Sequence, residues 1–314
     1  MKFLVTGGAG FIGSNIVWRL VSEGHEVSVL DDMSLGRSEN LPKGVRIVQG
    51  DVRDRILFED ASKGVDVVFY EAARSSSPMF SPDPRNGVEV NVMGFLNALE
   101  AARKFGFAIV YASTSSLYSR CEPPHSEGMA VVPGSFYEYS FLAREGAARL
   151  YHELYGVRAV GLRYFSVYGP REEAKGKYAN NISQFAWEMM EGRRPVIYGD
   201  GTQTRDFIFV EDVVEANLLA MEAANHEGGE VFNVGTGVET TFNRIVELLS
   251  DELGSEARPL YVENPIKNYV RRTLADTTKS ERLLGFKART PLREGIRRTI
   301  EYYKLTRGAS LRRS

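Results

Sequence analysis

Lys2-Phe3-Leu4-Val5-Thr6-Gly7-Gly8-Ala9-Gly10-Phe11-Ile12-Gly13-Ser14 is the stretch whose reading decides the fold. A short apolar run meets three regularly spaced glycines, Gly7, Gly10 and Gly13. Beyond them Ile12, Ile16, Val17, Leu20 and Val21 recur at helical spacing. A strand that opens through a glycine turn into a helix presents bare backbone N–H groups at the helix N-terminus, a seat for a pyrophosphate. Gly7 permits the tight turn, Gly10 lets the backbone approach the ligand, and Gly13 lets the helix lie close on the strand. Gly24 ends the helix, and Glu26-Val27-Ser28-Val29-Leu30 reads as a second strand. It stops at Asp31-Asp32, where a carboxylate takes the ribose diol of a dinucleotide. Asp31 would repel a 2′-phosphate and so favours NAD, while Arg37 close by leaves NADP open.

Outward from this unit, strand signals at 45–48, 66–70, 108–112 and 157–162 alternate with helical patterns at 88–105 and 134–155. That alternation predicts an α/β fold with a doubly wound parallel sheet, whose ligands lie beyond the carboxyl ends of the strands. Asp31, Asp51, Ala72-Ala73 and Ser113-Thr114 all fall at such ends. Asp51 can accept a hydrogen bond from an adenine amino group, or be a plain turn aspartate. After Arg163 the rhythm loosens, with helices expected at 211–223, 242–253, 277–284 and 292–305 and a strand at 231–234 returning to the main sheet.

The 314 residues suit one large domain and a smaller one, with 43% hydrophobic and 25% charged residues, the balance of a soluble globular protein. A net charge of −2 gives no electrostatic case for nucleic acid or an anionic membrane. A strand starting at residue 2 argues against a signal peptide, and no apolar run approaches the ~18 residues of a membrane span. The single cysteine, Cys121, fits a reducing cytosol, and His25, His125, His152 and His226 are too scattered for metal-ligand spacing. The expectation is a cytoplasmic protein without a metal.

Ser135-Phe136-Tyr137-Glu138 is a capping box that puts Tyr137 in the first turn of a long helix. Tyr111-Ala112-Ser113-Thr114-Ser115-Ser116-Leu117-Tyr118 precedes it. Leu162-Arg163-Tyr164-Phe165-Ser166-Val167-Tyr168-Gly169-Pro170-Arg171 and Tyr198-Gly199-Asp200-Gly201-Thr202-Gln203-Thr204-Arg205-Asp206-Phe207 follow. Together with the glycine turn, these motifs resemble the extended short-chain dehydrogenase/reductase family of NAD-dependent epimerases and dehydratases. Within it they resemble nucleotide-sugar epimerases of the UDP-glucose 4-epimerase kind, from residue 1 to about 300.

The resemblance implies a Rossmann-type NAD-binding domain over 1–165, with returns from about 206–238. A smaller C-terminal α/β substrate-binding domain would fill most of 166–314. It implies Tyr137 as the base and Thr114 as the hydroxyl that polarises the sugar, with Ser115 second. NAD would be held by Gly7, Gly10, Phe11, Ile12 and Gly13 at the turn, and by Asp31, Asp32, Ser34 and Gly36 after the second strand. Asp51 and Val52, Ala72 and Ala73, Asn91, Ser113, Tyr137, Tyr164 and Val167 complete that set. A UDP-sugar would meet Thr114, Ser115, Tyr137, Ser166, Asn180, Asn181, Tyr198 and Arg205, with Lys267 or Arg271 as the second phosphate partner. Arg205 is the diphosphate arginine in this reading; its alternative is a surface ion pair with Asp206. Related dehydratases and decarboxylases carry carboxylates just after the threonine, whereas Ser115 and Ser116 stand here and favour epimerisation. Relatives commonly dimerise through the two long helices, which implies a homodimer.

One departure dominates. The family's Tyr-x-x-x-Lys reads Tyr137-Glu138-Tyr139-Ser140-Phe141. Phe141 lies one turn after Tyr137 on the same helical face and takes the lysine's place. In the family that lysine holds the nicotinamide ribose and lowers the tyrosine's pKa. A free tyrosine titrates near 10, so about one in a thousand is phenolate at pH 7. The resemblance with this departure implies an impaired epimerase of UDP-glucose and UDP-galactose, with a protein that binds NAD and a UDP-sugar without turning the sugar over, or an epimerase of UDP-N-acetylhexosamine or UDP-glucuronate, as the alternatives. Tyr70-Glu71-Ala72-Ala73 also replaces the usual His-Leu-Ala-Ala, and Ser166 stands where relatives often have Asn.

Overall fold

A computed structural model describes residues 1–224, 228–256, 258–264 and 269–310. Its centre is a seven-stranded sheet. The first six strands are β1 (Lys2–Thr6), β2 (Glu26–Asp31), β3 (Arg46–Gln49), β4 (Val67–Tyr70), β5 (Ala108–Thr114) and β6 (Ala159–Tyr164). Their spatial order, with a late strand, β10 (Val231–Val234), at one edge, is β10-β6-β5-β4-β1-β2-β3. Every pair in it is parallel. β1 lies between β2 and β4, so the chain order reverses there, and a crevice opens beyond the strand ends at that point.

Side chains alternate across the sheet. Phe3 and Val5 join the core under helix α1 (Phe11–Ser22), while Leu4 faces Phe58 of α2 (Arg55–Ser62) and Phe95 of a long helical run. That run consists of α3 (Pro84–Val88), a π-turn over Glu89–Met93 and α4 (Gly94–Phe105). It starts before the expected residue 88 because Asp83 caps it through the Asn86 N–H at 3.0 Å and Pro84 presets its first turn. The sequence reading has no α2. Asp54 caps that helix through the Leu57 N–H, and only Phe58 and Ser62 of it are buried.

Helix α5 (Phe136–Tyr155) ends at Gly156, left-handed with φ 69°. The Val157 N–H then turns back to the Tyr151 carbonyl, so β6 begins at Ala159 rather than at 157. At its start Ser135 accepts from the Glu138 N–H as a capping box requires. The Glu138 carboxylate, however, accepts from the Gly134 N–H and the Ser119 hydroxyl, one residue outside the expected partner.

The second half builds a three-stranded sheet from β7 (Ser166–Tyr168), β9 (Thr204–Phe209) and β11 (Glu239–Thr241). A two-stranded sheet pairs β8 (Val196–Tyr198) with β12 (Leu260–Val262). Around these pack α6 (Asn181–Met190), α8 (Phe242–Leu253) and α9 (Leu292–Ser310), over a core that includes Phe185, Phe207, Leu249 and Ile300. Between them α7 (Val210–Ala224) packs on the main sheet, and β10 (Val231–Val234) pairs with β6 at its edge. The return to the main sheet is therefore α7 and β10, while β9 belongs to the second sheet. Among the described residues no helix is long and apolar enough to cross a membrane.

Candidate active site

The crevice at the strand ends is a cleft with about 1520 Å³ of space, open to solvent. At its floor, Gly10 precedes α1 without a side-chain cap, and the helix ladder begins with the Ser14 N–H on the Gly10 carbonyl. Among the described residues the N–H groups of Phe11, Ile12 and Gly13 have no acceptor, and all three residues line the cleft. The turn tolerates no side chains. A Cβ on Gly13 would lie 2.4 Å from the Gly7 carbonyl oxygen, and one on Gly7 would lie 2.8 Å from the Ala72 nitrogen at a φ of +64°. An anion-binding cradle of this shape fits a dinucleotide's pyrophosphate.

Asp31 holds that turn as well as facing the cleft. Its carboxylate accepts from the Ala9 N–H at 2.9 Å and from the Met33 N–H at 2.8 Å. Burial still leaves its pKa above the ordinary value. A carboxylate has about four acceptor sites, so two remain for a diol. Asp32, Ser34, Gly36, Asp51, Val52, Ala72, Ala73, Ser113, Tyr164 and Val167 also line the cleft. Asp51 is gripped by the Arg53 guanidinium at 2.6 to 3.1 Å, which holds its pKa down. Asn91 lies behind the wall, fully buried, fastening the Arg74 backbone and the Ser140 hydroxyl.

Strand β5 ends at Thr114 just as α5 brings Tyr137 over it, and the phenol donates to Thr114 Oγ1 at 3.0 Å. The same oxygen accepts from the Ser116 N–H at 3.1 Å. Ser115 and Ser116 line the cleft beside them. Tyr137 is buried, its ring edge-on to Phe80 at 5.9 Å and to Phe141 at 5.1 Å. Burial pushes its pKa up, and the bond to Thr114 draws it partly back. Phe141 is 2% exposed and lines the cleft where the sequence places it.

Sequence reasoning missed Arg144, which lies on the same face of α5 as Tyr137 and Phe141. Its guanidinium is fully buried beneath Phe141, 4.8 Å from that ring. Lys175 and Tyr178 in the cleft wall were also outside the sequence reading. The Lys175 ammonium is held 3.0 Å from Glu172.

Glu71, at the end of β4, lines the cleft and accepts from the Tyr164 hydroxyl at 2.9 Å, which in turn accepts from the Asn217 amide. Burial pushes Glu71 up to about 7, against the opposing pull of Tyr164 and Arg144. A carboxyl that ionises less readily folded than unfolded contributes stability below its unfolded pKa of 4.5, and that contribution is lost as pH rises through about 7. The melting temperature is therefore expected to fall between pH 5 and pH 8. Glu71→Gln should flatten the slope, by at most about 3 kcal/mol over the window. Thermal melts of both proteins across that range check it, and parallel curves would exclude Glu71 as the source.

From the second half, Ser166 and Asn180 reach the cleft. Asn180 caps α6 through the Ile182 N–H at 2.9 Å, and Asn181, the first residue of α6, does not line the cleft. Arg205 lies beyond the lining, its guanidinium donating to the Thr204 and Arg271 carbonyls and stacked near Phe242 and Tyr269. The alternative ion pair with Asp206 is absent. Asp206 is fully buried and accepts from the Thr236, Gly237 and Ala275 N–H groups. Arg271 is exposed and touches Thr202, Tyr198 is 41% exposed on β8, and Lys267 lies outside the described residues.

Comparison with known proteins converges on one family. Its model, described as the NAD dependent epimerase/dehydratase family, matches residues 3–235. The UDP-glucose 4-epimerase of Mycolicibacterium smegmatis is 36% identical over 313 residues, covering 97% of this chain and 99% of that protein. The crystal structure of UDP-glucose 4-epimerase from Thermotoga maritima with UDP-glucose superposes with a TM-score of 0.92 at 34% identity, covering 98% and 99% of the two chains. The UDP-N-acetylglucosamine 4-epimerase of Methanobrevibacter ruminantium, in complex with UDP-N-acetylmuramic acid, gives 0.90 at 32% identity, covering 96% and 97%.

Proposed function

Since the chain belongs to the NAD-dependent epimerase/dehydratase family, we propose that it is a UDP-hexose 4-epimerase, interconverting UDP-glucose and UDP-galactose slowly. The observation that carries this reading is the 3.0 Å contact of Tyr137 with Thr114, flanked by two serines and no acid. NAD, the cofactor of the family, supplies the acceptor and then the donor of the sugar's C4 hydride. The N–H groups at the start of α1 would seat its pyrophosphate, and Asp31 its ribose.

Thr114 orients the sugar O4 hydroxyl, and the Tyr137 phenolate takes that proton as the C4 hydrogen leaves with its electron pair. The resulting 4-keto sugar would turn over in the cleft to present its opposite face, and Tyr137 would give the proton back to O4. Asn180 and Arg205 are the assigned grips on the nucleotide diphosphate. Ser115 and Ser116, rather than carboxylates, follow Thr114, which favours a reaction that leaves the sugar skeleton unchanged. The exposed Met93 in the turn before α4, with Leu150, Leu154 and Tyr155 on α5, supports a homodimer, checked by light scattering against twice 35.1 kDa. One cysteine in the sequence suits the cytoplasm.

A second reading, binding without turnover, is favoured by one observation, the phenyl ring at position 141. The absorbance and mass of ligands released on denaturing the purified protein, followed by an assay with UDP-galactose, separate the two. NAD and a UDP-hexose, with slow conversion, are expected. NAD and a UDP-sugar with no conversion would establish the second reading, and release of NADP or of another nucleotide sugar would overturn the assignment.

A further inference from the structure

We propose that Arg144 is the cation of the Tyr137 site, a positioning residue whose buried guanidinium biases the phenol towards phenolate from beneath the Phe141 ring. The inference rests on the reading of Tyr137 as the base. Positions 137, 141 and 144 succeed one another by four and then three residues, so they share one face of α5. Arg144 is the largest fully buried side chain described. Its guanidinium donates to the carbonyls of Asn91 at 2.6 Å, Ala72 at 2.8 Å and Ala112 at 3.4 Å. None of these carries a charge. The group also lies 4.8 Å from the Phe141 ring, 5.1 Å from Tyr70 and 5.7 Å from Phe95.

A full positive charge is thus held in a dry aromatic cage with no carboxylate hydrogen-bonded to it. Burying an unpaired ion opposes folding, and a leucine would fill the same cage without that cost. Its field acts on what lies above it, through side chains that screen poorly. The other charges near Tyr137 are already engaged. Glu138 on the same helix is bonded to Gly134 and Ser119. Glu71 at the end of β4 is bonded to Tyr164. Across the cleft Lys175 is paired with Glu172, and Arg74 lies 3.8 Å from Asp32. Thr114 at the end of β5, Ser116 just after it and Phe80 complete the surroundings, and none of them is charged. The Arg144 charge lowers the tyrosine's pKa against the larger effect of burial, so it compensates for the absent lysine only in part.

The test is an ultraviolet titration of phenolate in the purified protein, with Tyr137 isolated as the difference from Tyr137→Phe. Arg144→Gln keeps amide donors for the carbonyls but removes the charge. Tyr137 should then titrate about one unit higher, so that about tenfold less is phenolate at a given pH. Arg144→Lys should titrate close to the parent, and Phe141→Lys in the glutamine background should return the curve to it. If Arg144→Gln does not fold, Arg144→Leu fills the cage instead and carries the same expectation. An unchanged curve in the neutral variant, or no rescue by Lys at 141, would overturn the proposal and leave Arg144 a clamp on three strand and helix ends. The readout needs no sugar and no turnover, so it stands apart from whether the protein epimerises UDP-hexoses.

Discussion

Phe141→Lys is expected to raise the turnover of UDP-galactose by about ten- to a hundredfold. The ring it replaces lines the cleft, 5.1 Å edge-on from Tyr137, so an ammonium on the same stem reaches the phenol's surroundings. A unit charge at about 4 Å, in an effective dielectric of about 20, contributes roughly 4 kcal/mol, or at most about three pKa units. Two effects reduce that ceiling. The position is 2% exposed, so the ammonium is itself desolvated. The Arg144 guanidinium lies 4.8 Å below the ring and repels it. Parallel steady-state assays of the two proteins decide the matter. Equal rates would mean that proton removal does not limit turnover, or that Tyr137 is not the base. A rise in kcat that is larger at pH 7 than at pH 9 is the signature of a tyrosine pKa brought down.

A sequence encodes locally only what a turn, a cap or a strand end fixes. The strand, glycine turn and helix of residues 2–22 are legible because the turn rejects side chains at fixed places, as the 2.4 Å approach of a Gly13 Cβ to a carbonyl shows. Tyr137 over Thr114 is legible because a cap and a strand end each fix one partner. Arg144 is different. Its helical spacing from Tyr137 is written in the chain, but the carbonyls that hold it belong to residues 72, 91 and 112, which only the parallel sheet gathers. Extending the Tyr137 face by one more turn was the signal available. The three-residue strands β7 and β11 are too short to show a period, and their pairing with β9 exists only in three dimensions. An ion pair between Arg205 and Asp206 could have been rejected earlier, since neighbouring residues on a strand face opposite sides of the sheet. Lys175 and Tyr178 lie in an irregular helical segment with a kink at Gly176, where spacing says nothing of direction.

Tyr137→Phe should reduce turnover by about 10²- to 10⁴-fold, the usual contribution of a positioned acid–base group, and leave the fold and the ligands in place. The ring keeps its edge-on contacts with Phe80 and Phe141. What is lost is one hydrogen bond to Thr114, a net contribution of about 1 kcal/mol. Thr114 still accepts from the Ser116 N–H, so no buried hydroxyl is stranded. The amounts of dinucleotide and nucleotide sugar released on denaturation should therefore match the parent, and only the rate should fall. That pairing of results separates chemistry from binding. If the rate survived, the proton would have to leave by another group in the cleft wall. Glu71, held at about 7 at the end of β4, is the titratable candidate there, and Glu71→Gln in the Tyr137→Phe background would then abolish what remained.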